Sequence, residues 1–353
     1  MENPVAKTAP PWGSANGAGV SHESRNGRAN GVLPPSGKPL VLLPPPRWHR
    51  GAEWLLRIFA FGAVAAIFLI FVFVAKEALP LFFSHDVRAE VTPSQMWFAQ
   101  SWPGYDHPDH IWQPAAAVAK YGVWPLIVGT LKVVLVAMSV AVPLGIGSAL
   151  YLSQFAAARL RESVKPVIEL LAGIPSVVLG FFALIVMASW FEDFFGFESR
   201  LNALVAGVAL SFAIIPLVFT ISEEAFRAVP QSYIEASTAL GAARWQTAVR
   251  VIIPAASPGL AAGVALGLGR AVGETMIVLM ASGNAAILSP RLDDSARTVA
   301  ATIAAELAEV VFGGAHYTVL FYLGTLLFLS TFVINLLGER AITRMRRRIG
   351  VAA

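Results

Sequence analysis

Two ionisable residues inside an apolar stretch are the first place where this sequence could do chemistry. Arg270 and Glu274 sit four residues apart in the run Gly259–Ala281, which otherwise holds mostly glycine, alanine and aliphatic residues. Read as a helix beginning at Gly259, the run places Arg270 about 16 Å deep at roughly 1.5 Å per residue, near the middle of a bilayer core about 30 Å thick. A charge there costs at least about 2.5–3.5 kcal/mol, so both side chains must face protein or a watery cavity. The planar fork of an arginine suits a carboxylate and a phosphate equally well. The pair therefore reads as an anion site in which Arg270 exchanges Glu274 for a passing anion, or as an ion pair that only fixes helix register. At 100° per residue Gly259, Gly263 and Gly267 share the stripe of the two charges, and small residues spaced by four predict close packing against a helix of another subunit.

Other chemistry-bearing residues read more plainly. Lys132 lies early in an apolar run and is expected to snorkel to the nearby interface. Asp106-His107-Pro108-Asp109-His110 gathers carboxylates and imidazoles, but its proline denies it a helical ligand face, so it reads as a solvated loop and not a metal site. Glu306, Glu309 and His316 fall in a short amphipathic segment. The absence of cysteine excludes disulfides and thiolate chemistry. No Gly-x-x-x-x-Gly-Lys-Ser/Thr or His-Glu-x-x-His stretch occurs, so an enzyme that cradles ATP by the usual loop, or a zinc hydrolase, is unsupported.

The elements that must position Arg270 follow from composition. Of 353 residues 56% are hydrophobic and 14% charged, too apolar for an ordinary soluble domain, and the net charge of +4 falls in blocks beside apolar runs, which argues against nucleic-acid binding. Six apolar runs of membrane-spanning length are expected at about 54–75, 126–151, 167–190, 201–221, 259–281 and 319–337. The first begins too far into the chain for a cleaved signal peptide. Pro143, Pro175 and Pro216 fall in or near spans and should kink them or mark re-entrant turns. Basic residues flank alternate loops: Arg47, Arg50 and Arg57; Arg159, Arg161 and Lys165; Arg227, Arg244 and Arg250; Arg340, Arg344 and Arg346–Arg348. The positive-inside rule makes that side cytoplasmic, with both termini inside and the membrane lipid around the spans. Residues 1–50, rich in Pro, Gly, Asn and Ser, read as a disordered cytoplasmic tail. Residues 51–122 form a first span and a long external loop, whose Trp97, Trp102, Tyr105, Trp112 and Trp124 suit either the headgroup belt or an external docking platform. Five spans over 123–340 make the core, and 341–353 a basic cytoplasmic end.

Between the fourth and fifth spans polarity rises at Ser222-Glu223-Glu224. Pro230-Gln231-Ser232 starts a short helix, Gly241 supplies a reversal, and a second limb, Ala242–Ile253, is stopped by Pro254. Glu235-Ala236-Ser237, three residues, Gly241, nine residues, Val251, one residue and Ile253-Pro254 resemble the EAA loop of ABC importer permeases, with Ser237, Val251 and Ile253 as size-conserving departures. Leu171-Ala172-Gly173-Ile174-Pro175-Ser176, Gly269–Met276, Gly283-Asn284 and Glu306–Tyr317 are similar to the phosphate importer permeases, in particular their C-type subunits. The likeness runs from about Val118 to Leu337; it leaves out the tail and is loose in the external loop.

That resemblance implies an all-α integral membrane protein with the type I ABC importer permease fold. It also implies a phosphate pathway shared with a second permease subunit, two cytoplasmic ATPases and an external phosphate-binding protein. Glu235, Ala236, Gly241 and Pro254 would then belong to the helix that couples to an ATPase, and Arg270 and Glu274 to the substrate path. No cofactor is expected on this chain; ATP would be used by the partner subunits. A permease for sulfate or molybdate shares the hairpin, though Gly-Arg-x-x-Gly-Glu-Thr argues against it. A gated anion channel or secondary carrier could use the same arginine.

Overall fold

A computed structural model describes residues 47–102 and 105–349. The expected tail lies outside them up to residue 46, as do residues 350–353 of the basic end. The chain divides into two units, residues 1–60 and 61–353. Among the described residues, six helical stretches are long and apolar enough to cross a membrane: Glu53–Phe83, Trp124–Gln154, Ser176–Phe195, Ala203–Arg227, Arg244–Gly273 and Ala315–Arg347.

Helix α1 (Arg47–Ala78) leads to a compact cap. The cap comprises three short helices, α2 (Pro80–Phe83), α3 (His85–Glu90) and α4 (Pro93–Trp97), and a hairpin in which β1 (Trp112–Gln113) pairs antiparallel with β2 (Lys120–Tyr121). This hairpin is a small addition to an otherwise helical fold. Leu81, Val87, Val91, Met96, Trp112 and Tyr121 are buried there with Val319, Leu320 and Leu323 of the last helix, so apolar burial holds the cap to the core. The tryptophans are spent on internal hydrogen bonds: the Nε1 of Trp97 donates to Tyr322, that of Trp112 to Glu306 and that of Trp124 to the carbonyl of Trp97.

The core begins with α5 (Trp124–Gln154), which carries Pro143 internally. The amphipathic helix α6 (Ala158–Ala172) follows and stops at Gly173, and Pro175 caps α7 (Ser176–Phe182). The third span therefore starts at Ser176 and not at Val167: Leu170 and Val167 lie on an exposed helix separated from the span by the Gly-Ile-Pro break. A π-helical turn, Ala183–Met187, joins α7 to α8 (Ala188–Phe195). Asn202 caps α9 (Ala203–Arg227) by accepting from the amide of Val205, and this central helix packs along α5. Gly145 and Gly207 permit that approach, since a Cβ on Gly145 would stand 2.9 Å from Val218 and one on Gly207 2.5 Å from Val136.

Next come α10 (Gln231–Ala239) and α11 (Arg244–Thr247), the two limbs of the polar hairpin. The second limb does not stop at Pro254. A π-helical turn, Ala248–Ile252, carries it without interruption into α12 (Ile253–Gly273). In a regular helix the ring of Pro254 would crowd the Arg250 carbonyl and offer it no N–H, and the wider turn just upstream relieves both defects. Beyond α12 lie α13 (Met276–Ala281), α14 (Val299–Glu306) and the long α15 (Ala315–Ile349).

Candidate functional site

The fifth span ends sooner than its apolar run. Helix α12 stops at Gly273, Glu274 is extended (φ −70°, ψ 131°), and α13 starts anew at Met276. Glu274 therefore does not sit one turn above Arg270 and does not pair with it. One carboxylate oxygen of Glu274 instead accepts from the amides of Met276 (3.2 Å) and Ile277 (3.4 Å), capping the first turn of α13. A carboxylate at a helix start meets unsatisfied N–H groups and the positive end of the helix dipole, which the i, i+4 geometry with arginine could not offer across a broken helix.

The glycine stripe also faces a different way from the expected one. A Cβ on Gly259 would overlap Ala225; one on Gly263 would reach Ile221 at 3.3 Å and one on Gly267 Ile214 and Val218 at 3.2 Å. All of these belong to α9 of the same chain. Small residues let any two helices approach, and spacing along α12 does not say which helix will come. Arg270 lies on the neighbouring stripe with Leu266 and Gly273, which this chain leaves exposed. Beside the break is an open cavity of ≈ 470 Å³, lined by Gly273, Thr275, Ala300, Ile303 and Ala304 among others. Its lining is almost wholly apolar, so this chain alone does not enclose an anion there.

Around the break the chain is well fixed. Gly283 (φ 79°) and Asn284 (φ 51°) take consecutive left-handed conformations, and a Cβ on Gly283 would stand 2.6 Å from the Leu201 carbonyl. The loop returns with Ala296 donating to the Ser282 carbonyl, and Ala203 and Leu204 at the start of α9 donate to Asp294 and Leu292. Lys132 is only 5% exposed: its ammonium donates to the Arg291 carbonyl at 2.8 Å. It pins this loop to α5 and does not snorkel, because the loop folds back over the helix and supplies an acceptor in place of water.

At the other end of the core the hairpin carries Glu235 and Ala236 on α10, both exposed. Gly241 has φ 82° and receives the close of α10, its amide donating to Thr238 and that of Ala242 to Ser237. The hydroxyls of Ser237 and Thr247 lie 2.9 Å apart and clip the two limbs together, so the departure from alanine at 237 has a local partner. Tyr233, Leu240 and Trp245 are exposed on this hairpin, Leu240 at 90%. Three large apolar side chains are thus exposed on a polar hairpin.

The sequence assigns no role to two carboxylates, fully buried Glu223 and half-buried Glu306. Helix α9 continues past Ile221, so Ser222 and Glu223 are interior residues and not the start of the hairpin. Glu223 Oε2 accepts from the Lys165 ammonium at 2.7 Å, while Arg227 Nη2 approaches Oε1 at 2.6 Å as an ion pair without hydrogen-bond alignment. Glu306, at the end of α14, meets Arg297 Nη2 at 2.6 Å, His316 Nε2 at 2.9 Å and Trp112 Nε1 at 3.1 Å. Burial pushes the Glu306 carboxyl up, but the His316 and Trp112 hydrogen bonds and the Arg297 charge outweigh it, and the group lies below the ordinary range. The cluster borders a cavity of ≈ 680 Å³ against the cap, with Gln113 and Glu309 on its wall. Asp106–His110 are exposed or half-buried in the cap, where Asp109 pairs through its backbone with Gln100.

Comparison with known proteins adds the following. The family profile described as "Binding-protein-dependent transport system inner membrane component" matches residues 141–350. A probable ABC transporter permease protein, YqgH, of Bacillus subtilis (strain 168) is 37% identical over 226 residues, 64% of this chain and 73% of that protein. The phosphate transport system permease protein PstC of Mesorhizobium japonicum is 33% identical over 307 residues, 81% of this chain and 89% of that protein. In fold, the chain is similar to one in the crystal structure of a bacterial alginate ABC transporter in complex with an alginate pentasaccharide-bound periplasmic protein. The TM-score is 0.56 at 16% identity, covering 86% of this chain and 98% of that one.

Proposed function

Because the chain belongs to the family of binding-protein-dependent transport system inner membrane components, we propose that it is the permease subunit of an ATP-driven phosphate importer and forms the pathway with a second permease subunit. It is a membrane subunit and not an enzyme. The observation that carries the phosphate reading is Arg270: a guanidinium on the exposed stripe of α12, one turn before the helix breaks. An exposed arginine in a membrane-spanning segment needs a polar counterpart, which a second permease and a passing phosphate would supply together. Glu274 orders the start of α13 beside the path and can accept a hydrogen bond from a protonated phosphate oxygen.

The exposed α10–α11 hairpin, with Glu235, Ala236 and Gly241, docks on one of two ATPases that use the ATP, and Pro254 sits where the hairpin runs into α12. On this reading, which the arginine-flanked loops support, the hairpin end is cytoplasmic, both termini are on that side, and the cap faces an external phosphate-binding protein. Continuity of Arg244–Gly273 gives the mechanics: movement of the hairpin tilts α12 and opens Arg270 to one side or the other.

Replacing Arg270 with Gln tests the assignment. Phosphate uptake by vesicles holding the assembled importer should fall about 100-fold, the loss of a bidentate charge-assisted contact, and Arg270→Lys should recover part of it. Unchanged uptake by an assembled Gln variant would remove Arg270 from the pathway.

A further inference from the structure

Resting on the reading of α10–α11 as the ATPase-coupled hairpin, we propose that Glu223 is a positioning residue that makes α6 move with the hairpin root, so that the stroke reaches the helix break through α6 and α7 as well as along α12.

Glu223 lies one turn before the end of α9, from which Ala228-Val229-Pro230 leads straight to α10. Its side chain is 1% exposed, and the two cations that neutralise it come from different places. Arg227 is on the same helix, on the hairpin side. Lys165 is on α6, a helix with no fully buried residue, held otherwise by half-buried Val164 and Ile168 against the apolar cluster that includes Phe219, Phe226 and Val229; Glu169, 3.8 Å from Lys165, is on α6 itself. Helix α6 thus has few apolar anchors, and among the described residues its ion pair to the core is with this one carboxylate. Arg161 adds a separate tie, donating to the Leu152 and Ser153 carbonyls at the end of α5.

What α6 pulls on is specific. Gly173-Ile174-Pro175 connects it to α7, and a Cβ on Gly180 of α7 would stand 3.1 Å from the Met276 carbonyl and 3.2 Å from the Ile277 Cα. Those residues are the first turn of α13, the turn whose amides Glu274 caps. With the α13 backbone and the Met280 sulfur both this close to Gly180 there is little slack, so a shift of α7 displaces Glu274. A carboxylate shared between the hairpin root and α6 makes one body of the two. An apolar residue in its place would leave Lys165 free to follow solvent.

The chain has no cysteine, which allows spin labels to be placed at Glu162→Cys on α6 and Gln231→Cys at the root of α10, both exposed. In the complete importer in lipid nanodiscs, with its ATPases and binding protein, the α6–α10 distance should stay the same with and without ATP. With Glu223→Gln added, the distance should change between the two states, and ATP hydrolysed per phosphate imported should rise at least about fivefold, the lower bound of typical coupling energies. Glu223→Asp should restore part of the ratio. If Glu223→Gln fails to assemble, Lys165→Gln, which leaves Arg227 to neutralise Glu223, should show the same two changes. A distance that already varies in the reference protein, or an unaltered ratio in an assembled variant, would overturn the proposal. Gly241→Pro tests the hairpin reading separately: if the ATPases still co-purify, that reading fails while the α6–α10 distance still reports on Glu223.

Discussion

Each end of the core is tied by one carboxylate shared between two basic side chains, and the two ties differ in how far those partners reach water. At the cap, Glu306 joins four separated segments: the loop bearing Arg297, the end of α14, the start of α15 through His316 and the β-hairpin through Trp112. Its partners Arg297 and His316 are 15% and 24% exposed. At the hairpin end, Glu223 joins two helices, and its partners Lys165 and Arg227 reach water at 31% and 49%. Removing a carboxylate from enclosed partners leaves a buried cation behind, whereas removing one whose partners reach solvent leaves cations that water can solvate. Loss of Glu306 therefore strands an enclosed cation, whereas loss of Glu223 leaves two cations that already reach water.

The largest effect that could break this contrast is on stability. Glu306→Gln should destabilise the protein by about 3 kcal/mol, because Arg297 stays charged and enclosed, while Glu223→Gln should cost about 1 kcal/mol; thermal unfolding in mild detergent compares them. Equal losses would mean the two ends do not differ in this respect. A second test is acid. The lowered carboxyl of Glu306 contributes stability that is complete above its ordinary value of 4.5 and is lost as the pH falls through its lower value in the folded chain. Proteolysis of the cap should rise over that acid range and the rise should flatten in Glu306→Gln. The smallest effect sharpens the picture of the hairpin: Ser237→Ala removes the clip to Thr247 and should cost about 0.5–1 kcal/mol, read as faster amide exchange in α10 with the cap unchanged.

Much of the candidate site could be read directly from residue order, and what escaped did so for physical reasons. Gly241 in a left-handed turn and Gly283-Asn284 in another are local demands of the backbone, visible in residue type alone. The run from Gly259 to Ala281 misled because hydropathy does not register a break at Glu274-Thr275, where a carboxylate restarts the helix. Ser222-Glu223-Glu224 reads in sequence only as rising polarity after the fourth span, since nothing near Glu223 announces a lysine 58 positions away.

Order along the chain by itself determined the six apolar stretches, the hairpin with its reversal, and the presence of an arginine within the fifth stretch, because apolar length, turn geometry and the cost of a charge in lipid are properties of short segments. Only the tertiary structure decided which helix the glycines of α12 meet, that Lys132 is buried against a carbonyl, that Glu274 caps a helix, and which cations neutralise Glu223 and Glu306. Those outcomes depend on which surfaces meet once the helices are assembled, and a buried charge takes whichever partner packing brings within reach.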